Sequence, residues 1–346
     1  MHKRQITLAD LAKELGISTA TVSRALKDYP DISVETKQKV IALAEKLHYR
    51  PNTLAAGLRK RESKIIGVII PDIVSHFFSS VINGIMEIAY QEGYRVMVCQ
   101  SNESFEKEVA DAQALLASRV DGVLVSIAHQ TDDFDHFHEF ADMGVPVVFF
   151  DKIPLKDFDE ASKVVVDDFM GAYNTVEHLI LQGCRRIAHF RGPVIAYTSL
   201  NRFEGYKKAL QDYGIPYDEL LVLACETISM EEGRQFCKTV LSLPQPADAI
   251  FAVTDMVALG ALVEARDSGK KIPEDIAIAG FSDWQVSSII DPPLTSVAQP
   301  SKEMGQIATR LLLREINAFK NNIPFAFETV VLKTELRIRD SSSLKK

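Results

Sequence analysis

The sequence predicts an all-α helix-turn-helix head followed by an α/β body with two doubly wound parallel-sheet lobes. Residues 6–24 contain two short amphipathic segments on either side of a glycine, a spacing typical of two helices on a tight turn. Residues 64–340 alternate Val- and Ile-rich runs with helical patterns, as parallel sheets with covering helices do. The 346 residues are too many for one ordinary domain, so two or three domains are expected.

The first two helices are predicted from their capping residues. Thr7 is a favourable N-cap, and Asp10 is placed three residues later to complete a capping box. Gly16 supplies the left-handed stop of the first helix. Ser18 caps a second helix over residues 19–26, whose buried face is expected to be Val22, Ala25 and Leu26.

A third helix completes the predicted head. Ser33 caps it, and it runs from residue 34 to about residue 48. Its core stripe is predicted at helical spacing and consists of Val40, Ile41, Ala44 and Leu47. The three helices define a predicted domain over residues 1–49.

The second helix carries small polar and basic residues on its other face. In a helix-turn-helix, the start of this helix lies in the DNA major groove. The predicted DNA-binding residues of the head are therefore Thr19, Ala20, Thr21, Ser23 and Arg24, together with Thr7 and Ser18 at the caps. Arg24 suits a guanine, and Ala20 suits a thymine methyl group. Capped helix pairs also occur in proteins that never touch DNA, so the two helices alone do not decide between the two interpretations.

The distribution of charge favours DNA binding by the head. Residues 1–61 carry 12 Lys and Arg against 6 Asp and Glu, a net charge of +6. The remaining residues carry 27 against 41, a net charge of −14, so the overall charge of −8 hides a basic head on an acidic body. A basic head is expected to meet phosphate, and an acidic body discourages unspecific wrapping of DNA.

Residues 50–63 form a predicted hinge helix and linker. Pro51 ends the preceding helix, and Asn52 can cap a very short helix over residues 53–58. Six residues that include a glycine cannot hold a helix in water by themselves. Two interpretations stay open. One is a plain basic linker; the other is a hinge that folds when two copies meet on DNA, with Leu58 as an apolar wedge in the minor groove and Arg59 beside it.

Beyond these patterns, the chain resembles the LacI/GalR family of bacterial transcriptional regulators. The resemblance is carried by T-L-A-D-L-A-K-E-L-G-I-S-T-A-T-V-S-R at 7–24, K-V-I-A-L-A-E-K-L-H-Y-R-P-N-T-L-A-A-G-L at 39–58 and I-I-G-V-I-I-P-D at 65–72. Further marks are T-D-M-V-A-L-G-A-L at 254–262, I-A-G-F-S-D at 278–283 and E-L-R-I-R-D-S-S at 335–342. These blocks, in this order and spacing, cover nearly the whole chain.

The resemblance implies a cytoplasmic transcriptional repressor that acts as a homodimer on a near-palindromic double-stranded DNA operator. It also implies lobes of the periplasmic-binding-protein type, between which the chain crosses near 163–166, 292–297 and 323–328. The predicted core N-lobe comprises 64–163 and 296–324, and the core C-lobe with the tail comprises 164–295 and 325–346. A small-molecule effector, a sugar or sugar derivative, is expected between the lobes, where it changes the operator affinity.

Short apolar runs and helical patterns define the body in order. Strands are predicted over 65–71, 94–100, 122–127, 146–150, 186–190, 249–253 and 276–280. Helices are predicted near 79–92, 105–118, 133–143, 168–182, 201–213, 231–242, 255–268 and 302–320. Such alternation indicates parallel, doubly wound sheets.

A ligand of such sheets binds beyond the carboxyl ends of the strands. The residues predicted there are aromatic or polar, namely Phe77, Phe78, Trp284, Asn102, Arg202, Asp255 and Asp283. Sugars have apolar faces ringed by hydroxyls, so aromatic plates with bidentate polar partners suit them. Phe77 and Phe78 are equally compatible with a simple core, and Asp255 opens a helix, where it would act as a cap in any protein.

The resemblance adds weight to some of these residues. It implies ligand contact for Arg202, Asp255 and Thr198, and it places Ser282 where many relatives carry an acid. Purine-binding relatives carry a second cleft arginine at the position of Ala196. This departure argues against a purine ligand.

Several classes of function lose support from what the sequence lacks. Without a glycine-rich nucleotide loop, a G-x-S-x-G elbow or an H-E-x-x-H helix, no enzyme activity and no cofactor is predicted. For the segment with His129, His136 and His138, a solvated polar loop is favoured over a metal site. The four cysteines form no C-x-x-C motif and are predicted to be reduced thiols.

Two alternatives stay open beside the regulator. One is a cytosolic or exported sugar-binding receptor without a gene-regulatory role, and the other is a metabolic enzyme with a fused helical head. The basic head, the missing secretory signal and the lack of an apolar run near the roughly 20 residues of a membrane span weigh against an exported or membrane protein. The cleft shows no poised pair of nucleophile and base, which weighs against an enzyme.

Overall fold

The computed structural model describes residues 6–49, 62–194 and 196–343. The chain forms two compact units that divide between Ser63 and Lys64. Asn52, Leu58 and Arg59, for which DNA contacts are predicted, lie outside the described residues.

Eleven α-helices and twelve β-strands are defined in the described part of the chain. The helices are α1 (Leu8–Leu15), α2 (Thr19–Leu26), α3 (Val34–Lys46), α4 (His76–Gln91), α5 (Phe105–Ala117), α6 (Asp135–Asp142), α7 (Asp168–Leu181), α8 (Tyr197–Asp212), α9 (Met230–Leu241), α10 (Asp255–Asp267) and α11 (Ser301–Asn321). The strands are β1 (Ile65–Ile70), β2 (Arg95–Gln100), β3 (Gly122–Val125), β4 (Val147–Phe150), β5 (Lys163–Val166), β6 (Ile187–Arg191), β7 (Val222–Ala224), β8 (Ala249–Ala252), β9 (Ala277–Phe281), β10 (Thr295–Ala298), β11 (Thr329–Leu332) and β12 (Glu335–Arg337).

The N-terminal unit packs α1, α2 and α3 around a small apolar core. Leu11, Val22 and Val40 are completely buried at the centre of this core. Ile41, which was predicted to belong to the core, is 45% exposed. It lies one position, about 100° of helix, from Val40, and Leu43 packs against the core in its place.

Hydroxyl side chains mark the starts of these three helices. Thr7 and Asp10 form a complete capping box, in which each backbone amide donates to the other side chain, at 2.8 Å and 3.3 Å. The side chains of Ser18 and Ser33 cap α2 and α3 by accepting a hydrogen bond from the backbone amides of Thr21 and Thr36. α1 ends at Gly16, whose φ of 64° is a left-handed conformation that glycine adopts without strain.

The body contains two sheets of six strands each. The first has the order β11-β5-β4-β3-β1-β2, and all of its pairings are parallel. The second has the order β12-β10-β9-β8-β6-β7. Its pairings are parallel except that β12 runs antiparallel to β10. Apart from this edge strand, the prediction of two doubly wound parallel sheets is confirmed.

Apolar side chains cover both faces of each sheet. In β1, Ile66, Val68 and Ile70 join one core cluster, whereas Ile69 joins the cluster on the opposite face. In β6, Phe190 and Ile187 divide between two clusters in the same way. Burial on both faces explains why the strands read as continuous apolar runs in the sequence.

The chain passes between the two sheets three times. It leaves the first sheet after β5, since α7 packs on β8, β10 and β12. It returns between β10 and α11, because α11 packs on β3, β4 and β5. Finally, β11 pairs with β5 before β12 joins the second sheet.

These crossings lie later in the chain than the sequence suggested. The segments 163–166 and 295–298, which coincide with two expected crossings, are strands within a sheet. Thr329–Leu332, placed in the C-lobe from the sequence, pairs with β5 in the first sheet. Apolar periodicity identifies a strand, but it does not say which of two sheets the strand joins.

Glycines bring helices into direct backbone contact in both lobes. A Cβ added at Gly84 in α4 would lie 2.1 Å from a carbonyl oxygen of α11, and one at Gly305 in α11 would lie 2.1 Å from a carbonyl oxygen of α4. Gly233 in α9 and Gly260 in α10 repeat this arrangement, at 2.1 Å and 2.0 Å. Any side chain at these positions would force the helices apart.

Within the described ranges, no helix is long and apolar enough to cross a membrane. The cysteines are free thiols: Cys184, Cys225 and Cys237 are buried, and Cys99 is half-buried. Burial raises the pKa of each buried thiol to about 12.

Replacing Gly84 with alanine is expected to destabilise the body by about 1–3 kcal/mol, because the new methyl group meets backbone and the helices must separate. Asn83→Ala, at the exposed neighbouring position of α4, is the matched control and is expected to change stability by less than about 0.5 kcal/mol. Urea unfolding followed by circular dichroism measures both. Equal unfolding midpoints for the two variants would contradict the direct contact of the helices.

Candidate functional site

The outer face of α2 presents the side chains that are predicted to read DNA. Val22 and Ala25 pack into the core of the head. The other face carries the exposed residues Thr19, Ala20 and Arg24 and the half-buried residues Thr21 and Ser23. The apolar residues of α2 thus lie on its buried face, and the residues predicted to contact DNA lie on the opposite face.

The hydroxyl groups at the helix starts already serve as caps. Ser18 Oγ accepts a hydrogen bond from the Thr21 amide at 3.0 Å and lies 2.8 Å from Thr21 Oγ1. Thr7 Oγ1 donates to the Asp10 carboxylate at 2.7 Å. Thr7 and Ser18 are nevertheless exposed, and amide groups at a helix start favour a phosphate there.

Arg24 is held by an acidic neighbour. Its guanidinium pairs with the Asp31 carboxylate and lies 5.6 Å from the centre of the Tyr29 ring. The side chains of the pair are 50% and 45% exposed. An ion pair this exposed contributes at most about 1 kcal/mol, so a DNA base competes with it easily.

Five of the thirteen non-glycine residues with positive φ in the described ranges follow directly after strands. Asn102 and Glu103 follow β2 with φ of 51° and 59°, and Asp151 follows β4 with φ of 59°. In the second lobe, Ser282 and Asp283 follow β9 with φ of 107° and 49°. Left-handed backbone outside glycine gathers where side chains must be held in one direction, as in a binding site. The strand ends of the two lobes therefore mark a candidate cleft.

In the first lobe, Glu103 joins two other strand ends. It pairs with Lys152, next to the end of β4, and accepts a hydrogen bond from the His129 amide at 2.8 Å. The His129 ring Nδ1 lies 2.9 Å from the same carboxylate. Burial alone would raise the pKa of Glu103, but the Lys152 charge and these hydrogen bonds outweigh it and lower the pKa to about 2. Glu103 is thus an ionised anchor.

In the second lobe, Arg202 and Asp168 form a buried ion pair. Arg202 Nε donates to Asp168 Oδ1 at 2.7 Å, and Nη1 donates to the Val253 carbonyl oxygen at 2.7 Å. The guanidinium also lies 3.6 Å from the centre of the Phe281 ring. Asp168 Oδ2 is buried without a partner in the described part of the chain. Burial raises the pKa of Asp168, although Arg202 opposes the rise.

Asp151 connects the two sets of charges. It is 6% exposed at the end of β4. Burial raises its pKa to about 7, Lys152 and Arg202 oppose the rise, and Asp168 from the other lobe adds to it. Tyr197, the first residue of α8, packs against the apolar cluster of the first lobe, so the lobes meet at this site. The candidate cleft therefore includes charged groups from both lobes.

The residues predicted for the ligand site are not all in this position. Phe77 and Phe78 are 7% and 6% exposed within the core of the first lobe, where their rings stand edge to face at 5.1 Å. Asn102 is exposed and accepts a hydrogen bond from Gln100. Thr198 is half-buried in the first turn of α8, next to Ala196 at the N-cap. Ligand contact by these residues stays a prediction.

Asp255 is engaged by internal donors. It is completely buried and accepts hydrogen bonds from the Trp284 amide at 2.7 Å, from Ser287 Oγ at 2.6 Å and from Ser296 Oγ. Burial raises its pKa to about 6 against these three hydrogen bonds. Asp255 therefore anchors the segment that carries the half-buried Trp284 ring.

Asp283 and Ser282 also have partners in the protein. Asp283 pairs with Arg337 and, at 2.6 Å, with Arg339, so it ties the C-terminal strand to the end of β9. Ser282 Oγ donates to Gln299 at 3.0 Å. These contacts join segments far apart in the sequence, and no local motif reports them.

The ligand-binding set predicted from the sequence does not contain Glu103, Asp151, Lys152, Asp168 or Tyr197. Asp151 and Lys152 directly follow the apolar run of β4, so their position at a strand end was the available signal. Asp168 carried no such signal, because its role depends on Arg202. The solvated polar loop favoured for the three histidines is wrong for His136, which is buried in α6 and contacts Glu108 at 3.2 Å, while His138 in the same helix stacks on Phe158 at 4.3 Å. In the described ranges, no group of His, Cys, Asp and Glu is arranged to hold a metal ion.

Two sequence families match the chain. The family described as "Bacterial regulatory proteins, lacI family" matches residues 7–52. The family described as "Periplasmic binding protein-like domain" matches residues 176–342. The first match covers the head with its exposed α2 face, and the second covers most of the second lobe.

Similar proteins align over nearly the whole length. The ribose operon repressor of Halalkalibacterium halodurans is 33% identical over 315 residues, which is 90% of this chain and 90% of that protein. The structure of the lac repressor dimer bound to operator and the anti-inducer ONPF is similar with a TM-score of 0.84 and 28% identity, covering 98% of this chain and 99% of the other. The complex of the transcriptional regulator CelR with cellobiose has a TM-score of 0.74 and 27% identity, covering 97% and 100%. With this head and this body in one chain, the protein belongs to the LacI family of bacterial regulatory proteins.

Proposed function

We propose that the chain is a sequence-specific transcriptional repressor whose operator affinity is controlled by a small sugar or sugar derivative bound between the two lobes. The observation that carries the proposal is the exposed face of α2, with Thr19, Ala20 and Arg24 on a capped helix whose other side is core. This helix lies within the segment that matches the lacI family. The cleft in the body supplies the sensing site.

The head reads one operator half-site through α2. Arg24 leaves Asp31 and donates two hydrogen bonds to a guanine, and Ala20 contacts a thymine methyl group. Thr7 and Ser18 at the helix starts position the phosphates. Asn52, Leu58 and Arg59, outside the described residues, complete the proposed contact in the minor groove.

A near-palindromic operator requires two heads, so we propose a homodimer. The first lobe offers an apolar edge for this purpose. Met97 on the edge strand β2 is 38% exposed, and Met86 and Tyr90 on the adjacent α4 are 46% and 74% exposed. Apolar side chains grouped on one edge commonly mark a protein interface.

The chemistry of the cleft suits a ligand rich in hydroxyl groups. Glu103, Asp151 and Asp168 offer carboxylate oxygens, while Lys152 and Arg202 offer charged donors. Hydroxyls both donate and accept, so they can bind to either kind of group. The cellobiose complex of the similar regulator CelR supports sugars as the ligand class. A ligand that contacts both lobes favours one lobe arrangement and thereby changes operator affinity.

Replacing Arg24 with alanine is expected to relax base preference at one operator position by ~1–3 kcal/mol. Replacing Asp31 with asparagine should instead tighten operator binding, because it frees Arg24 and removes an acid from the basic head. Operator sequences are first selected from a random duplex pool, and affinities are then measured by fluorescence anisotropy at several salt concentrations. Glu35→Gln, which breaks the exposed pair with Lys39 on α3, is the matched control for loss of an acid.

The two substitutions are then combined. If Asp31 restrains Arg24, Asp31→Asn should tighten binding less in the Arg24→Ala background than in the original chain. Equal gains in both backgrounds would contradict the restraint and would assign the gain to charge alone. A change in the salt dependence without a change in base preference would place Arg24 on a phosphate.

Replacing Asp151 with asparagine is expected to flatten the pH dependence of stability. The folded state holds the pKa of Asp151 at about 7, above the value of about 3.9 in an unfolded chain, because the carboxyl is buried. Ionisation therefore destabilises the original chain as the pH rises from about 4 to 7, whereas asparagine does not ionise. The melting temperature of Asp151→Asn relative to the original chain should thus increase from pH 5 to pH 8. A constant difference would contradict the raised pKa.

The sensing role is tested by thermal shift against neutral sugars, sugar acids and sugar phosphates. A bound ligand raises the melting temperature by mass action. A sugar that raises the melting temperature should also change the affinity for the selected operator. Stabilisation without any change in operator affinity would contradict the proposed control of DNA binding.

A further inference from the structure

Arg191, the last residue of β6, is a buried arginine whose guanidinium has no hydrogen-bonding partner in the described part of the chain. The residue is 8% exposed, and its Nε and Nη2 atoms are both buried and unpaired. The guanidinium lies 4.2 Å from the centre of the Phe203 ring instead. An arginine stays charged at neutral pH, so burying one without an acceptor is costly.

The neighbouring strand-end cations differ from Arg191 in this respect. Arg202 has Asp168 and the Val253 carbonyl, and Lys152 has Glu103. An unpaired buried polar group in a well-packed protein calls for a specific cause. A ligand that supplies the missing acceptor is such a cause.

The backbone of Arg191 lies at the same sheet edge as the charged residues of the candidate cleft. The Val253 amide donates to the Phe190 carbonyl at 2.8 Å, so Arg191 and Val253 are adjacent at the carboxyl edge of the second sheet. Arg202 binds the carbonyl of the same Val253. Arg191 therefore stands at the edge where ligands of parallel sheets bind.

The surroundings of Arg191 carry a surplus of positive charge. Lys207 Nζ lies 4.7 Å from the centre of the same Phe203 ring, and the nearby Glu204 is paired with Lys207 at 2.6 Å. His189, two residues before Arg191, has its pKa lowered to about 3, first by burial and then by Arg191 and Arg202. A neutral histidine offers no counter-charge. The acidic groups Glu204 and Tyr217 favour the charged form of Arg191 from a distance, but neither forms a hydrogen bond with its Nε or Nη2.

We propose that Arg191 binds an acidic group of the effector, a carboxylate or a phosphate, through the edge formed by Nε and Nη2. These two donors lie side by side in a guanidinium and match two oxygens of one acidic group. The effector is then a sugar acid or a sugar phosphate rather than a neutral sugar. This inference rests on the proposed ligand cleft, and it assigns a recognition role to a residue outside the predicted ligand set.

The test uses the full chain without DNA and the minimal probes inorganic phosphate, acetate and the neutral sugar glucose. Binding is measured by calorimetry and thermal shift for the original chain, Arg191→Gln, Arg191→Lys and the control Arg234→Gln. Arg234 is an arginine of the same lobe whose ion pairs are exposed on α9. Phosphate, acetate or both should bind the original chain and the control alike. In Arg191→Gln that affinity should fall at least about tenfold, with Arg191→Lys intermediate because its ammonium lacks the two-donor edge.

The comparison of phosphate with acetate identifies which acidic group the site prefers. Equal anion affinity for the original chain and Arg191→Gln, or no anion binding by the original chain, would overturn the proposal. Glucose should not distinguish the variants, and a loss of glucose binding in Arg191→Gln would assign Arg191 to sugar hydroxyls instead.

Stability without any anion gives a second readout. An arginine kept for a ligand leaves an unpaired buried charge in the free protein, so Arg191→Gln should melt at the same temperature as the original chain or higher. A clearly lower melting temperature would show that Arg191 has a structural role and would contradict the proposal. Neither measurement involves operator DNA. If Arg191 does not bind an anion, the proposed DNA-binding function is therefore unaffected. If the chain does not bind an operator, the anion-binding results for Arg191 still stand.

Discussion

The buried ion pair between Asp168 and Arg202 is the constraint on which the cleft depends. Asp168 begins α7 directly after the first crossing between the lobes, and Arg202 lies in the second turn of α8. Through the Val253 carbonyl, the same guanidinium also holds the end of β8. Removing either charge would leave the other buried and uncompensated, at a cost of about 3–5 kcal/mol. A crossing, a helix and a central strand are thus joined at one point.

Exposure separates this pair from the ion pair in the head. Arg24 and Asp31 are about half exposed, so their attraction is screened by water and contributes at most about 1 kcal/mol. Such a pair is easily exchanged for another partner, whereas the buried pair of the body persists. The same two kinds of side chain therefore form an exchangeable contact in the head and a lasting structural contact in the body.

The acidic residues at the strand ends divide into anchors and groups that face the cleft. Asp255 accepts hydrogen bonds that hold the segment after β9, and Asp283 forms ion pairs that hold the C-terminal strand. Asp168 Oδ2 is buried without a partner in the described part of the chain, and the buried Asp151 lies near Arg202. Arg191 has unmet donors at the same edge of the sheet. The donors and acceptors that have no partner within the protein are therefore found at this edge of the sheet.

The sequence by itself determined the helices and caps of the head, most strands and helices of the body, the two-sheet class and the family. These features are local or repeat with a short period: Thr7 and Asp10 are three residues apart, and the apolar face of α2 follows from its helical period. The family could also be identified from the sequence, because motifs such as those at 7–24 and 254–262 occur together and in the order typical of the family.

Only the tertiary structure decided which sheet receives β5, β10 and β11, and which polar residues have partners within the protein. Ile41 is exposed although a core position is predicted for it, and Phe77 and Phe78 are buried in the core of the body. Burial of a side chain depends on which residues pack against it. Asp283 pairs with Arg337 and Arg339, which lie 54 and 56 residues later in the sequence. Partners that distant leave no trace in local periodicity, since burial and pairing arise only when the chain has folded.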